Sequence, residues 1–571
     1  MKYERVGLHN IIKGVTCLSA LLLMPVFSSC NSPDTLEPEE ALESLIEADF
    51  ENIWDKESEP GEFPEETETI IPEFPRGDIK DSGIHEEAIA LMEAIIEKDV
   101  EYGFPGAEVS IIKDNKLIYE KAFGYINRYD PEGSLLENPE PVSMDTLFDL
   151  ASITKMFSVN YALQRLVTED KINIDSKVYE YLGPGFYEDV IYIDYTEGDS
   201  PDLNIQKEWK KNLRIRDLLM HRGGFPADPR YFNPHLDTEK QNFSRDKENL
   251  LFAGSGADEA TKKATIEAIC KTPLLYEPGK RTLYSDVDYM ILGLIVEKVT
   301  GLDLDTYLKQ EFTDPMGLKR ISYEPLKHGF LNKDCAATEL CGNTRGGYIE
   351  FPGIRTYTLQ GEVHDEKAYY SMAGVSGHAG LFSNATDLSI LASLMLTGEY
   401  NGKEYFSDSV IKEFTSPQSE DTENWGLGWW RQGDCLRPNF FGTKASENAI
   451  GHQGWTGTFI LIDPDRNLII TILTNKINSP VTDPDKNLNK FDGSFFTTGA
   501  LGFAPEIIYT GIDEDRDISD DLKETFTKIY ENSHRAIKKG MAETHPAVLN
   551  FKSKEEIYVD FFKEVPPLSG K

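Results

Sequence analysis

The chain has 571 residues, of which 40% are hydrophobic and 11% aromatic. This is enough to build a large core, and the length predicts two or three domains. The formal net charge is −40, from 58 basic and 98 acidic residues, which argues against nucleic acid and anionic membrane surfaces as partners.

Residues 1–29 have the pattern of a signal peptide. Three basic residues precede an apolar stretch, Val15–Phe27, which is too short to span a bilayer. Two serines then precede Cys30, and this arrangement resembles a bacterial lipoprotein cleavage site with Cys30 lipidated. The alternative is an ordinary secretory signal with an incidental cysteine. We expect an exported, periplasmic or cell-surface lipoprotein that is anchored to the membrane through Cys30.

Residues 30–84 are predicted to be a disordered acidic tether. Between residues 31 and 80 the sequence contains 17 acidic and 3 basic residues together with six prolines. Such a segment buries too little apolar surface to offset its ordering entropy, and its charges repel one another. Residues 41–54 could form one short amphipathic helix.

The folded body is expected over residues 85–511. A helix over 85–100 is followed by two apolar runs that flank Lys113–Lys116, which is typical of a β-hairpin. A second hairpin is predicted around residues 463–467, and helices are predicted over 158–167, 290–299 and 388–396. Strand pairs at both ends of a helical run indicate an α+β body with one antiparallel sheet. Residues 512–571 read as a C-terminal helical extension.

The cysteines of the body are Cys270, Cys335, Cys341 and Cys435. An even number permits disulfides in an exported protein, but the pairing cannot be deduced from spacing. No Cys/His cluster has the spacing of metal ligands, so the sequence predicts no structural metal. No cofactor is predicted.

The run Phe148–Phe157 contains Ser152 and Lys155 in the spacing Ser-x-x-Lys, at the start of a predicted helix. This spacing places the two side chains one turn apart on one face. A serine hydroxyl is a weak nucleophile, and a nearby lysine can act as its base if it is neutral part of the time. Burial and neighbouring cations are expected to lower the pKa of Lys155 accordingly. Alone, the motif is a weak signal.

Two further stretches offer chemistry. Tyr284 ends a Gly-containing loop, and its phenol could shuttle protons if Lys155 lowered its pKa; the alternative is a tyrosine that caps a core. In Gly451–Thr458, Gly454 allows close backbone approach at a strand edge that could complete an oxyanion hole. His452 could contact a substrate or relay a proton, or it could be a hydrogen-bonded strand histidine.

Together these stretches resemble the serine β-lactamase and penicillin-binding protein superfamily, in its class C-like branch. That family carries Ser-x-x-Lys, Tyr-x-Asn and Lys/His-x-Gly in this order, and here they are matched by Ser152–Lys155, Tyr284–Asp286 and His452–Gly454. Further flanks look most like periplasmic low-molecular-weight penicillin-binding proteins that are also described as esterases. These flanks are 218–226, 224–230, 361–365 and 374–383.

The resemblance implies a β-lactamase/transpeptidase-like fold, with an antiparallel sheet flanked by helices, a mostly helical subdomain and a cleft between them. It also implies roles for individual residues. Ser152 would be the acylated nucleophile, Lys155 its base and Tyr284 the proton shuttle to the leaving group. The backbone N–H groups of Ser152 and Trp455 would form the oxyanion hole. The residues expected to line the substrate are Asp286, His452, Gln453 and Gly454.

Two departures from the family pattern bear on the substrate. Asp286 replaces an asparagine, and His452 replaces a lysine that would hold a substrate carboxylate. Both weaken the case for a β-lactamase and leave an esterase, a D-amino-acid peptidase or a slow DD-carboxypeptidase acting on a small molecule or a peptidoglycan peptide. The alternative is a non-catalytic homologue that binds the cell wall or a partner.

Overall fold

The computed structural model describes residues 71–512 and 516–540, with side chains as far as residue 529. The expected signal peptide, Cys30, the tether up to residue 70 and residues 541–571 of the extension lie outside these ranges. Within the described ranges, no helix combines the length and the apolar composition needed to cross a bilayer.

The strands follow the chain from a long early hairpin to a group of late strands. They are β1 (Gly106–Lys113), β2 (Lys116–Gly124), β3 (Phe148–Asp149), β4 (Leu236–Asp237), β5 (Asn242–Phe243), β6 (Ile321–Tyr323), β7 (Leu381–Ser383), β8 (Glu399–Tyr400), β9 (Lys403–Glu404), β10 (Trp430–Arg431), β11 (Ile450–Gly454), β12 (Thr458–Asp463), β13 (Leu468–Thr474), β14 (Val481–Asp483) and β15 (Asn487–Phe491).

Six strands form the main antiparallel sheet, in the order β10-β11-β12-β13-β1-β2. The early strand β1 pairs with the late strand β13, from Ala107 opposite Thr474 to Lys113 opposite Leu468. Both predicted hairpins are present. The β1–β2 turn has φ of 49° at Asp114 and 59° at Asn115, the left-handed conformation that a two-residue hairpin turn requires and that these residue types tolerate.

The sheet separates two hydrophobic cores. Along β12, Ile460 and Ile462 belong to one core, while Phe459 and Leu461 belong to the other. This alternation follows from the two-residue period of a strand. Because both faces are buried, the late strands read in the sequence as continuous apolar runs.

Helices cover both faces of the sheet. The longer ones are α1 (Glu86–Glu101), α2 (Tyr161–Thr168), α3 (Leu203–Asn212), α4 (Ile215–Leu219), α5 (Glu259–Lys271), α6 (Asp286–Thr300), α7 (Leu304–Leu308), α8 (Ala385–Ala392), α9 (Asp408–Thr415), α10 (Phe503–Gly511) and α11 (Ser519–Gly540). Shorter helical turns span Tyr179–Leu182, Gly185–Glu188, Asp314–Met316, Leu394–Thr397 and Pro438–Phe441, and π-helical turns span Lys155–Asn160, Lys309–Thr313 and Lys367–Ser371.

The main features of the predicted helices are confirmed. Helix α6 ends at Gly301, which has φ of 72° and caps the helix in the left-handed conformation. The helix expected over 388–396 is divided into α8 and a short turn that begins at Leu394. A sheet with a long, mostly helical insertion between β2 and β10 is the α+β architecture that the sequence predicts.

The limits expected for the body need correction on both sides. Before residue 85, the Gly77 N–H donates to the Leu117 carbonyl oxygen, and the Leu117 N–H donates to the Pro75 carbonyl oxygen, each at 2.9 Å. Residues 75–77 therefore belong to the packed body and not to the tether. Beyond residue 511, Ile512 forms a bridge with Ile84, and α11 buries Leu522 and Phe526 in the core that contains α1 and α10. The extension is thus partly integral to the fold.

The four cysteines of the body are all free thiols, and the possible disulfide is not formed. Cys270 and Cys335 are buried, Cys341 is half-buried and Cys435 is exposed. Burial raises the pKa of the Cys335 thiol to about 12, so this thiol is unreactive at neutral pH.

Candidate active site

Ser152 lies where β3 passes into a helical run. The preceding residue, Ala151, has φ of 46°, a left-handed conformation that is uncommon for a residue with a side chain. The Ala151 N–H donates to Oδ1 of Asp149 at 2.8 Å, which holds this conformation in place. A single 3₁₀ turn, Ala151–Ile153, then leads into the π-helical turn that starts at Lys155. This tight turn sets Ser152 at the head of the helical run.

The predicted contact between serine and lysine is present. Lys155 is fully buried, and its Nζ lies 2.9 Å from Oγ of Ser152, 2.9 Å from Oδ1 of Asp286 and 2.9 Å from the carbonyl oxygen of His378. The lysine can therefore exchange a proton directly with the serine hydroxyl.

The expected lowering of the lysine pKa is wrong. Burial lowers the pKa of Lys155, but the charge of Asp286 and the neighbouring Tyr284 phenol raise it by more, and the net pKa is above its ordinary value. At neutral pH Lys155 is an ammonium group. It must lose a proton before it can accept one from Ser152.

Asp286 is the first residue of α6 and does more than line the substrate, the only role expected for it. Its second oxygen lies 3.1 Å from Nζ of Lys367, so this carboxylate bridges two buried lysines. Burial raises the pKa of Asp286, but Lys155 and Lys367 together hold it well below the ordinary value. Asp286 is therefore ionised, and it stabilises the charged form of Lys155.

Tyr284 lies against Lys155, whose Nζ is 4.9 Å from the centre of the phenol ring. Its pKa does not fall as expected. Burial raises the pKa of Tyr284, and the opposing effect of Lys155 does not overcome it. The ring packs on His221 at a centroid distance of 4.2 Å, and the hydroxyl makes no hydrogen bond of ordinary geometry with any described residue. It is a neutral proton donor.

His452 is only 1% exposed. Its Nδ1–H donates to the carbonyl oxygen of Gln453 at 2.8 Å, and its ring packs on Trp430 and Tyr284. Burial, assisted by the charge of Lys155, lowers the pKa of His452 to about 3. The imidazole is therefore neutral, and it cannot form an ion pair with a substrate carboxylate.

The backbone at the end of β11 approaches the nucleophile closely. A Cβ atom on Gly454 would clash with Oγ1 of Thr458 and with the carbonyl oxygen of Leu150, so only glycine fits. Among the described residues, the N–H groups of Ser152 and Trp455 have no hydrogen-bond acceptor. Two free N–H groups on adjoining segments fit the expected oxyanion hole.

Asp149 makes hydrogen bonds to three segments of the site. Its carboxylate accepts from the N–H of Ala151 and from the N–H of His364 at 2.7 Å. Its carbonyl oxygen accepts from Oγ1 of Thr456 at 2.7 Å. One residue thus joins the nucleophile turn, the loop around His364 and the turn that follows Gly454.

Several residues of the site were not assigned by sequence reasoning. Lys367 Nζ binds Asp228 at 2.5 Å as well as Asp286, and His378 Nε2 lies 2.8 Å from Oδ1 of Asp365. Asp365 and His378 lie in stretches that already resembled the family, which was the available signal. Nothing in the local sequence marked Lys367.

One group of described residues has side-chain atoms close enough to share a cation, and it consists of Asp286, Asp365 and His378. The ammonium of Lys367 already lies 3.1 Å from Asp286 and 3.9 Å from Asp365. The two carboxylates are therefore already paired with a fixed charge. The sequence-based prediction of no metal remains a prediction.

An antiparallel sheet packed between helices, with a serine paired to a buried lysine, is the arrangement of a serine hydrolase. The family model described as Beta-lactamase matches residues 92–494, and the chain belongs to this family of serine hydrolases.

Two bacterial relatives are similar over most of their length. A protein of Escherichia coli strain K12 provisionally named D-alanyl-D-alanine carboxypeptidase is 43% identical over 433 residues, which cover 76% of this chain and 92% of the relative. An N-acetylmuramyl-L-alanine amidase of Bacillus subtilis strain 168 is 45% identical over 424 residues, which cover 74% and 88%.

Solved structures share the fold at low sequence identity. The simvastatin synthase LovD of Aspergillus terreus superimposes with a TM-score of 0.52 at 18% identity and covers 75% of this chain and 99% of its own. EstCE1, a hydrolase with promiscuous acyltransferase activity, gives a TM-score of 0.51 at 18% identity, with 75% and 100% covered. These likenesses concern the fold alone.

Proposed function

We propose that this chain is an exported, lipid-anchored serine hydrolase that cleaves an amide or ester bond in peptides derived from peptidoglycan. The observation that carries the proposal is the position of Lys155 Nζ, 2.9 Å from Oγ of Ser152 and 2.9 Å from Asp286. A serine hydroxyl in contact with a buried lysine is the nucleophile that acyl transfer requires, because the lysine can accept the hydroxyl proton once it has lost its own.

The geometry supports the following acylation step. After the Lys155–Tyr284 pair has released one proton to solvent, Oγ of Ser152 attacks the substrate carbonyl carbon and its proton passes to Lys155. The developing oxyanion is stabilised by the N–H groups of Ser152 and Trp455. The carbon–nitrogen or carbon–oxygen bond then breaks, and Tyr284 supplies the proton of the leaving group. Water hydrolyses the ester on Ser152.

Both curated relatives carry names that refer to cell-wall amide bonds, and they suggest different substrates. A carboxypeptidase would have to recognise the terminal carboxylate of its peptide. At the expected place the chain presents His452, whose pKa of about 3 leaves it uncharged. Lys155 and Lys367 are both paired with carboxylates. We therefore favour an amidase that cleaves the amide bond between an amino sugar and its peptide. A DD-carboxypeptidase or an esterase is less well supported, and a β-lactamase is the least well supported.

Labelling with a fluorophosphonate tests the proposed acyl-enzyme. The wild-type protein should gain the mass of one adduct on the peptide that contains Ser152, and Ser152→Ala should not. Ser409→Ala, which alters an exposed serine of α9, is the matched control and should label normally. An adduct on another serine would overturn the assignment, and no adduct at all would favour the non-catalytic homologue that binds the cell wall or a partner.

A substrate panel then separates the candidates. It should contain an N-acetylmuramyl-L-alanyl peptide, a peptide ending in D-alanyl-D-alanine, a p-nitrophenyl ester and nitrocefin. We expect the first to be cleaved with the highest kcat/KM. Preferred release of D-alanine would instead establish the carboxypeptidase.

A further inference from the structure

Trp455 exposes an indole beside the active site. The residue is 38% exposed, whereas Trp429 and Trp430 nearby in the sequence are buried. It directly follows Gly454, so its own N–H belongs to the expected oxyanion hole while its side chain reaches solvent. An exposed tryptophan at the edge of a cleft is typical of a surface that a ligand covers.

Three side chains contact the indole. The His364 ring is stacked on it at 4.8 Å and 26°, and the Arg345 guanidinium lies 5.1 Å from its ring centre. Oε2 of Glu339 contacts both His364 and Arg345. Glu339 therefore links the two groups that contact the indole. The Phe491 ring also contacts it, at 5.5 Å and 88°.

This support is tied to the nucleophile. The N–H of His364 donates to the same Asp149 carboxylate that holds the Ala151 N–H next to Ser152. The indole, its stacking partner and the nucleophile turn are therefore positioned by one residue. A ligand part that rests on Trp455 would be fixed relative to the scissile bond.

The surroundings indicate an amphipathic ligand. Apart from Phe491, the groups that contact the indole are ionised or polar, in contrast to the aliphatic lining expected of a pocket for an acyl chain. Arg345 is already paired with Glu339 and with Glu366, the latter at 2.8 Å, so it is not free to capture an anion. A neutral ring with one C–H-rich face and hydroxyls around its edge matches an indole bordered by hydrogen-bonding groups.

We propose that Trp455 is a specificity-determining residue whose indole stacks on the pyranose ring of a sugar attached to the scissile amide. This inference rests on the proposed function, and it adds that the enzyme recognises its substrate through the sugar and not through the peptide alone.

Binding to a non-reacting enzyme tests the proposal. The full-length Ser152→Ala protein is titrated by calorimetry with N-acetylmuramyl-L-alanyl-D-isoglutamine and with N-acetyl-L-alanyl-D-isoglutamine, which lacks the sugar. We expect the sugar-bearing ligand to bind at least about tenfold more tightly. The added substitution Trp455→Ala should abolish this preference, and Trp455→Phe should retain part of it.

The matched control is Tyr192→Ala in the Ser152→Ala background, which removes an exposed aromatic residue (52% exposed) and should keep the full preference. Equal binding of the two ligands, or an unchanged preference in the Trp455→Ala variant with an unchanged melting temperature, would overturn the proposal. Failure of fluorophosphonate labelling in the wild type would instead overturn the proposed function, because this titration requires no catalysis.

Discussion

The ammonium of Lys155 lies as close to Asp286 as to Ser152, at 2.9 Å in both cases. The Asp286 carboxylate therefore opposes the reaction, because it stabilises the protonated form of Lys155 whereas acylation needs the neutral form. The resting site is Lys155⁺, Asp286⁻ and a neutral Tyr284. Because the pKa values of Lys155 and Tyr284 are both raised, activity should increase with pH into the alkaline range, with an apparent pKa that belongs to the coupled groups.

Asp286→Asn should move the rising limb of the pH profile of kcat/KM to lower pH by about 1–3 units. Removing the anion destabilises the Lys155 ammonium, so its pKa falls and the neutral lysine becomes available earlier. The measurement is ester hydrolysis from about pH 5 to about pH 10. Asp365→Asn, which removes an anion near Lys367 but not in contact with Lys155, should shift the limb less. An unmoved limb in Asp286→Asn would show that Lys155 is not the titrating base.

Lys155→Ala should reduce the rate of acylation by a factor on the order of 10³ or more, because it removes the group in direct contact with the serine hydroxyl. Rapid-mixing measurement of adduct formation reports this step alone. Lys121→Ala, at a partly exposed lysine of β2, serves as the control. Retention of the wild-type rate in Lys155→Ala would remove the lysine from the mechanism.

Tyr284→Phe should lower amide hydrolysis by about 10²–10⁴. The phenyl ring keeps the packing on His221 and removes only the hydroxyl. Because p-nitrophenolate leaves without a proton, p-nitrophenyl esters should be affected much less than amides. Equal losses for the two substrate classes would indicate a structural role for Tyr284.

Asp149→Asn should lower both stability and activity. The carboxylate accepts from two backbone N–H groups, those of Ala151 and His364, and the amide that replaces one oxygen is itself a donor. Leaving one buried N–H unpaired costs about 1–3 kcal/mol. Urea unfolding should show this decrease in the free energy of unfolding. The kcat should fall because the turn that positions Ser152 loses the hydrogen bond from the Ala151 N–H to Asp149. Wild-type stability in this variant would contradict the role given to Asp149.

Cys30→Ala should abolish partitioning of the protein into the detergent phase while the catalytic rate stays unchanged. The signal for lipidation is confined to the sequence around Cys30. Continued membrane association of Cys30→Ala would rule out the anchor.

Proteolysis of the wild type should cut first between residues 31 and 70, where the composition predicts no packed core.

Local pattern was sufficient to predict the hairpins, the end of α6 at Gly301 and the contact of Ser152 with Lys155, because each depends on residues close together in the chain. The order of the family motifs also predicted that Tyr284 and His452 lie in the same cleft, and their ring centres are 6.1 Å apart. The signs of the pKa shifts at Lys155 and Tyr284 were predicted incorrectly. Each shift is the balance between burial and a partner from a distant segment. Lys367, which helps to keep Asp286 ionised, carries no local signal.

The pairing of Ala107 with Thr474 in the central strands has a consequence for biosynthesis. The first hairpin leaves the ribosome long before its partner strand is synthesised, and one of its edges stays unpaired while the helical insertion is made. Contacts so distant in sequence favour slow folding and exposure to aggregation. A fragment that ends before β13 would lack the strand that joins β10, β11 and β12 to the first hairpin. The strand that carries His452 and Gly454 would then not be held in one sheet with β1, so this chain should become active only after residue 474 has been synthesised.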